Sequence, residues 1–149
     1  MNKIVSCILF LTIIFLDRIT KLCALAWLSE RPYQVNSFLS YELVMNRGFS
    51  WGMFHSGHTG QFVGVTLIIS LVTAFVCWQA LQVKKQSVPF IGYVCILAGS
   101  LSNLFDRVWY AGVIDFIVLS YHSYSWPVFN IADVAVVVGV CLIMVWSSE

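Results

Sequence analysis

Four long apolar stretches, at 4–28, 62–83, 88–107 and 129–146, alternate along the chain with shorter polar or mixed segments. Each approaches the roughly 20 residues a helix needs to cross a hydrocarbon layer of about 30 Å. The pattern predicts a membrane all-α protein, a four-transmembrane-helix bundle with outer loops at 29–61 and 108–128 and a single integral domain over 1–149. In the first outer loop, residues 37–45 alternate partially between apolar and polar and then meet Asn46-Arg47-Gly48, a turn signal, so a small sheet or hairpin is expected there. The following stretch, Phe49-Ser50-Trp51-Gly52-Met53-Phe54, is aromatic and suits the headgroup level. No internal repeat or low-complexity tract interrupts this layout.

Composition sharpens the reading. With 60% hydrophobic and only 10% charged residues, a 149-residue chain lacks the polar surface of a soluble domain. A formal charge of +1 offers no basic face for nucleic acid. Lys3, Lys84 and Lys85 place the N-terminus and the link between the second and third stretches in the cytoplasm by the positive-inside rule, and four crossings return the C-terminus to that side. Arg31 and Arg47 in the opposite loop weaken the asymmetry. The first stretch resembles a signal peptide up to Ala24-Leu25-Ala26, but Asp17, Arg18 and Lys21 interrupt it and apolar residues continue to Leu28, which fits a retained helix. All five cysteines, Cys7, Cys23, Cys77, Cys95 and Cys141, lie inside the apolar stretches without a Cys-x-x-Cys pair, and are expected to be buried spectators.

An ionised side chain near hydrocarbon costs about 2.5 to 3.5 kcal/mol, so each polar residue here needs a partner, a cavity or a substrate. Helix parity puts nearly all of them on one face. Asp17 and Lys21, four apart, suit an intrahelical ion pair that fixes the first helix against its neighbours. Ser100, Asn103 and Arg107 form a stripe with Asp106 beside it, and Gly99 admits a close backbone. The donors of Asn103 and Arg107 fit a substrate carbonyl or a lipid phosphate, although snorkelling also accounts for Arg107. Asp115 and Asp133 flank the last span; two carboxylates within reach of each other can share a proton and activate water, and the alternative is that each caps or anchors a helix end. His55, His58 and His122 make a weak zinc set with no His-Glu-x-x-His helix, and no Gly-x-Ser-x-Gly elbow supports a serine nucleophile.

The ordered set Asp17-x-x-x-Lys21, Asn46-Arg47-Gly48, Asn103-Leu104-Phe105-Asp106-Arg107, Gly112-Val113-Ile114-Asp115-Phe116 and Phe129-Asn130-Ile131-Ala132-Asp133 resembles lipoprotein signal peptidase, also called signal peptidase II, over essentially the whole chain. The resemblance implies an aspartic peptidase of the bacterial inner membrane that removes signal peptides from prolipoproteins carrying diacylglycerol on the cysteine after the cut. It implies a four-helix bundle with a small extracytoplasmic β-rich cradle, active at the periplasmic face and sensitive to globomycin. Asp115 and Asp133 match the family's catalytic dyad; Asn46, Gly48, Asn103, Arg107 and Asn130 match residues that bind substrate or support the site; Asp17, Lys21 and Asp106 match structural polar positions. The implied partners are lipidated prolipoproteins and membrane lipids, with the chain acting as a monomer and without metal or cofactor. Trp51 stands where phenylalanine is usual, and Ala98 and Ser102 where glycines are common, which bears on substrate preference and inhibitor affinity.

Two close carboxylates, one protonated, can activate water and protonate a leaving amine, while Asn103, Asn130 or Arg107 polarises the carbonyl. A proton-coupled carrier would instead place its carboxylates near the bilayer midplane with access from both sides. A membrane assembly factor would have no need of two convergent aspartates.

Overall fold

The computed structural model describes residues 3–48, 59–83 and 88–146. In chain order they form α1 (Lys3–Trp27), β1 (Tyr33–Gln34), β2 (Leu39–Asn46), α2 (Thr59–Gln82), α3 (Val88–Tyr110), β3 (Val113–Tyr121), β4 (Tyr124–Ser125) and α4 (Ile131–Trp146). The expected aromatic stretch 49–54, with Trp51, and the pair His55 and His58 lie outside the described residues.

Helix α3 is the central element, packing on α1, α2, α4 and β3. Its contact with α4 is made backbone to backbone. A Cβ placed on Gly92 would lie 2.6 Å from the Gly139 carbonyl oxygen, and one on Gly139 would lie 2.5 Å from that of Gly92 and 2.7 Å from Ile96 Cγ1. Gly99 faces the Ala132 carbonyl in the same way. Small residues at this seam let the two helices approach closely, as in membrane bundles generally.

Burial is inverted relative to a water-soluble domain. Leu71 and Leu81 are 71% and 70% exposed, whereas Asp17, Lys21, Asp106 and Asn130 are 0% exposed. An outer surface of this kind requires hydrocarbon around it, and the chain is an integral membrane protein. Among the described residues, α2 is the one helix long and apolar enough to cross a membrane by length and composition alone. Charges interrupt α1 at Asp17, Arg18 and Lys21, and α4 has 16 residues.

The helix bounds shift from the sequence expectation for local reasons. Helix α3 runs on to Tyr110 and ends at Ala111, whose φ of 54° is left-handed and turns the chain straight back into β3. Helix α4 starts after Asn130 because Phe129 is spent on the sheet. It bridges Ile117, with Ile117 N–H donating to Phe129 O at 2.9 Å and Phe129 N–H to Ile117 O at 3.1 Å.

The outer segment 108–128 carries two strands, β3 and β4, after the last turn of α3. The run Val113–Tyr121 is apolar on both faces, so it shows no alternation, yet its β-branched residues suit a covered strand. The four strands pair antiparallel in the order β1-β2-β3-β4, with a register shift between Tyr41 and Val44 on β2. The small sheet expected near 37–45 is therefore present and larger than predicted. The cysteines also correct the expectation: only Cys95 is buried, while Cys7, Cys77 and Cys141 are exposed and Cys23 is intermediate. In hydrocarbon a thiol can point outward at little cost, so apolar surroundings in sequence do not imply an inward position.

The glycine seam gives a direct stability prediction. Gly139→Ala should lower stability by about 1–3 kcal/mol, because even a methyl group forces the backbones apart. Gly64→Ala in α2, where a Cβ meets nothing within 4 Å, should be neutral or stabilising by up to about 1 kcal/mol. Thermal unfolding of the purified variants in detergent checks both; equal midpoints would contradict the close α3–α4 approach.

Candidate active site

The site begins with a buried cluster of charges. Lys21 Nζ, four residues along α1 from Asp17, lies 2.7 Å from Asp17 Oδ2 and 2.8 Å from Asp106 Oδ2 on α3. Arg18 adds a second cation, 2.6 Å from Asp106 Oδ1 and 3.2 Å from Asp17 Oδ2, with its guanidinium 5.1 Å from the centre of the Phe105 ring. Two cations and two anions thus neutralise one another between α1 and α3. The cluster also reaches α4, because Asp17 Oδ1 accepts the Ala132 N–H at 2.9 Å at that helix's N-terminus. Ser102 donates to Asp17 Oδ2 at 2.6 Å, and the Ile114 N–H to Asp106 Oδ2 at 3.3 Å. The Asp17–Lys21 pair is therefore more than intrahelical, and Lys21 is not remote from the candidate site: its third contact is Asn103 Oδ1 at 2.8 Å.

Three asparagines carry the arrangement to the two candidate catalytic carboxylates. Asn130 and Asp133 cap α4 reciprocally. Asp133 N–H donates to Asn130 Oδ1 at 2.9 Å and Asn130 N–H to Asp133 Oδ2 at 3.2 Å, the logic of a capping box. Because Asn130 Oδ1 is an acceptor, its Nδ2 faces the other way and donates to Asp115 Oδ1 at 2.6 Å. Phe129 pairing with Ile117 brings this cap alongside β3. On β2, Asn46 lies opposite Val113, two residues from Asp115 and on the same sheet face. Its Nδ2 donates to Asp115 Oδ2 at 2.9 Å, and its Oδ1 accepts the Gly48 N–H at 3.0 Å. Asn103 Nδ2 donates to Asp133 Oδ1 at 2.8 Å.

Asp115 and Asp133 line one cavity of about 170 Å³ with Asn46, Ser100, Asn103, Arg107, Ile69, Val113 and Val136. That volume admits several waters or a small acyl group. Asp133 also lines an adjoining apolar groove of about 530 Å³ with Leu119, Trp126, Phe129, Val134 and Val137. Burial, reinforced by the nearby Asp133 carboxylate, pushes the Asp115 carboxyl up to about 7, against the opposing pull of the Asn46 and Asn130 amides and of Lys21.

Arg107 does not snorkel. It is 4% exposed, its Nη2 donates to the Gly48 carbonyl, and its guanidinium stands 5.7 Å from the centre of the Phe62 ring. Its Nε and Nη1 are buried and have no hydrogen-bond partner among the described residues. Asp17, Lys21, Asn46, Gly48, Asn103, Asp106, Arg107, Asp115, Asn130 and Asp133 thus fall within one hydrogen-bonded network. Arg18 and Ser102 gain roles the sequence did not assign: the charge beside Asp17 in an apolar run was a usable signal for the first, whereas Ser102 stood out only as a departure from glycine and donates to Asp17. Ala98 is fully buried. His122 sits apart, in the β3–β4 turn with φ 54°, its ring edge-on to Tyr121.

The arrangement can hold a water between two carboxylates beside guanidinium donors that have no hydrogen-bond partner among the described residues. Comparison with known proteins agrees with a peptidase. Two bacterial membrane enzymes solved in meso, at 2.3 Å and 1.9 Å resolution, share the fold, with TM-scores of 0.76 and 0.75 at 22% and 23% identity. Both alignments cover 95% of this chain, and 85% and 90% of those chains respectively. Lipoprotein signal peptidase of Teredinibacter turnerae is 36% identical over 93% of this chain and 83% of that protein. That of Clostridium novyi is 37% identical over 89% of this chain and 90% of its own length. The profile of the family described as signal peptidase (SPase) II matches residues 9–148. The chain belongs to the signal peptidase II family.

Proposed function

We propose that this chain is a membrane aspartic endopeptidase that removes signal peptides from diacylglyceryl-modified prolipoproteins, cutting before the lipidated cysteine. The observation that carries the reading is the convergence of two carboxylates, the buried Asp115 and the half-buried Asp133, on one small cavity in a signal peptidase II family member. The whole of 1–149 acts as one domain and as a monomer. All four helices cross the bilayer of the inner membrane, both termini are cytoplasmic, and the site opens at the periplasmic face. Lys3, Lys84 and Lys85 support this orientation. Burial of the polar groups of α1 and α3 against each other supports the crossings of those less apolar helices.

The chemistry follows from which hydrogen-bonding groups are already committed. Asp133, at the positive end of α4 and facing the Asn103 donor, is the base; Asp115 holds the shared proton. A water between them gives a proton to Asp133 while its oxygen bonds to the scissile carbonyl carbon. The oxyanion takes the unpartnered donors of Arg107. Asn130 has its amide engaged with both aspartates and so orients them rather than the substrate. When the C–N bond breaks, the Asp115 proton goes to the leaving nitrogen. One proton remains on Asp133, and its return to Asp115 restores the dyad. The apolar groove beside Asp133 suits acyl chains or the hydrophobic signal peptide.

Asp115→Asn and Asp133→Asn should each abolish most cleavage of a lipidated precursor, followed by gel shift with thermal melting as the folding control, and the double variant should add little because the pair acts as a unit. A well-folded single variant with near-normal turnover would remove that residue from the dyad. Unlipidated precursor should be cleaved much more slowly, since buried methylenes contribute about 0.8 kcal/mol each to binding; equal rates would contradict a lipid-reading site.

The Asp115 carboxyl has a folded-state value near 7, above its ordinary value. Its contribution to stability is full below the ordinary carboxyl range and is lost as pH rises through about 7. The melting advantage of wild type over Asp115→Asn should therefore shrink between about pH 5 and about pH 8. Parallel melting curves across that window would show that Asp115 is not the proton holder.

A further inference from the structure

We infer that Lys21 is a positioning residue for the dyad, acting through Asn103: its ammonium dictates which way the Asn103 amide faces, and so keeps Asp133 Oδ1 a hydrogen-bond acceptor. The inference rests on the reading of Asp115 and Asp133 as the catalytic pair and deepens it.

An ammonium can only donate. Lys21 Nζ has three donors and, with no exposure, meets three acceptors: Asp17 Oδ2 at 2.7 Å, Asp106 Oδ2 at 2.8 Å and Asn103 Oδ1 at 2.8 Å. The Asn103 atom facing Lys21 must therefore be its oxygen. A second donor, Asn130 Nδ2 at 3.2 Å, points at the same oxygen. The Asn103 nitrogen is thereby turned to Asp133 Oδ1 at 2.8 Å, where it can only donate. Asp133 Oδ2 already accepts the Asn130 N–H, so both oxygens of Asp133 accept from fixed donors, and loss of the Asn103 donor would leave Oδ1 without one. Without Lys21 the remaining anchor on the Asn103 oxygen is the longer contact from Asn130, whose amide is also engaged with Asp115. The amide can then turn over and set oxygen against oxygen at Asp133. Asp17 and Asp106 select the ammonium, and Asn103 transmits its polarity.

Asn103→Asp separates this role from a structural one. The exchange is nearly isosteric and keeps an oxygen toward Lys21, so the charge cluster and the fold are retained, but the donor to Asp133 is lost. With a lipidated precursor, kcat should fall about 10- to 100-fold at neutral pH, the scale seen when a group that orients a reactive one is removed, with KM changed far less. Activity should partly return as pH falls, when the new carboxyl takes a proton and again donates to Asp133. The charged or titratable groups around that position are Lys21 and Asp17 from α1, Asp106 and Arg107 from α3, Asp115 from β3 and Asp133 from α4. The charge-balanced double variant Lys21→Met with Asp106→Asn, which leaves Asp17 paired with Arg18, should melt close to wild type yet stay low in kcat. Wild-type kcat and pH profile in Asn103→Asp, or full turnover in the folded double variant, would overturn the inference. Because the Asp133→Asn variant tests the dyad separately, failure of the positioning role is distinguishable from failure of the peptidase reading.

Discussion

The buried cluster of Asp17, Arg18, Lys21 and Asp106 is the interaction on which the rest of the molecule depends. Asp17, Lys21 and Asp106 are fully buried and Arg18 half-buried, and such charges are tolerable only together, since loss of one partner from a buried pair typically costs about 3–5 kcal/mol. Here the two cations match the two anions, and the spare acceptor capacity of the carboxylates is used by Ser102 and by the N–H groups of Ala132 and Ile114. Those extra partners belong to α3, to the N-terminus of α4 and to the start of β3. The cluster thereby sets the relative positions of three helices and a strand, where apolar packing alone would leave helices in lipid free to slide. The glycine seam between α3 and α4 brings the backbones close enough for these short side chains to reach.

From that frame the candidate dyad inherits its asymmetry. Asp133 lies in the first turn of α4, tied to the cap by Asn130 and to the charge cluster through Asn103. Asp115 lies on β3 in the small sheet, held by Asn46 from β2 and by the same Asn130 from α4. Each asparagine has its oxygen committed to a donor, so each amide nitrogen has one allowed direction, toward a carboxylate. Specificity of orientation in this site comes from satisfied amides rather than from close-packed bulk. Among the described residues, the Arg107 guanidinium lines the same cavity with its Nε and Nη1 still without a hydrogen-bond partner.

Much of this was legible from the sequence because polar residues are scarce in a chain that is 10% charged. Asp17, Lys21, Asn103, Asp106, Arg107, Asp115, Asn130 and Asp133 each stood out against an apolar background, and helix parity gathered them on one face. Partners across helices were not legible. Four-residue spacing pairs Lys21 with Asp17 but is silent on Asp106 and Asn103, which lie more than 80 residues away. Strand β3 escaped because its first six residues, Val113 to Val118, are covered on both sides and lack alternation, and α4 started late because Phe129 was taken by the sheet. The outward cysteines and the buried Arg107 share one cause: in hydrocarbon, residue type no longer tells inside from outside.

The central claim is that this frame holds one proton on Asp115 while Asp133 stays ionised. Infrared difference spectroscopy of the detergent-solubilised protein, titrated across neutral pH, observes the carbonyl stretch of a protonated carboxyl directly. The account predicts one such band that disappears as pH rises through about 7 and is absent from Asp115→Asn. A band that survives in Asp115→Asn and vanishes in Asp133→Asn, or no protonated carboxyl below that pH, would contradict it.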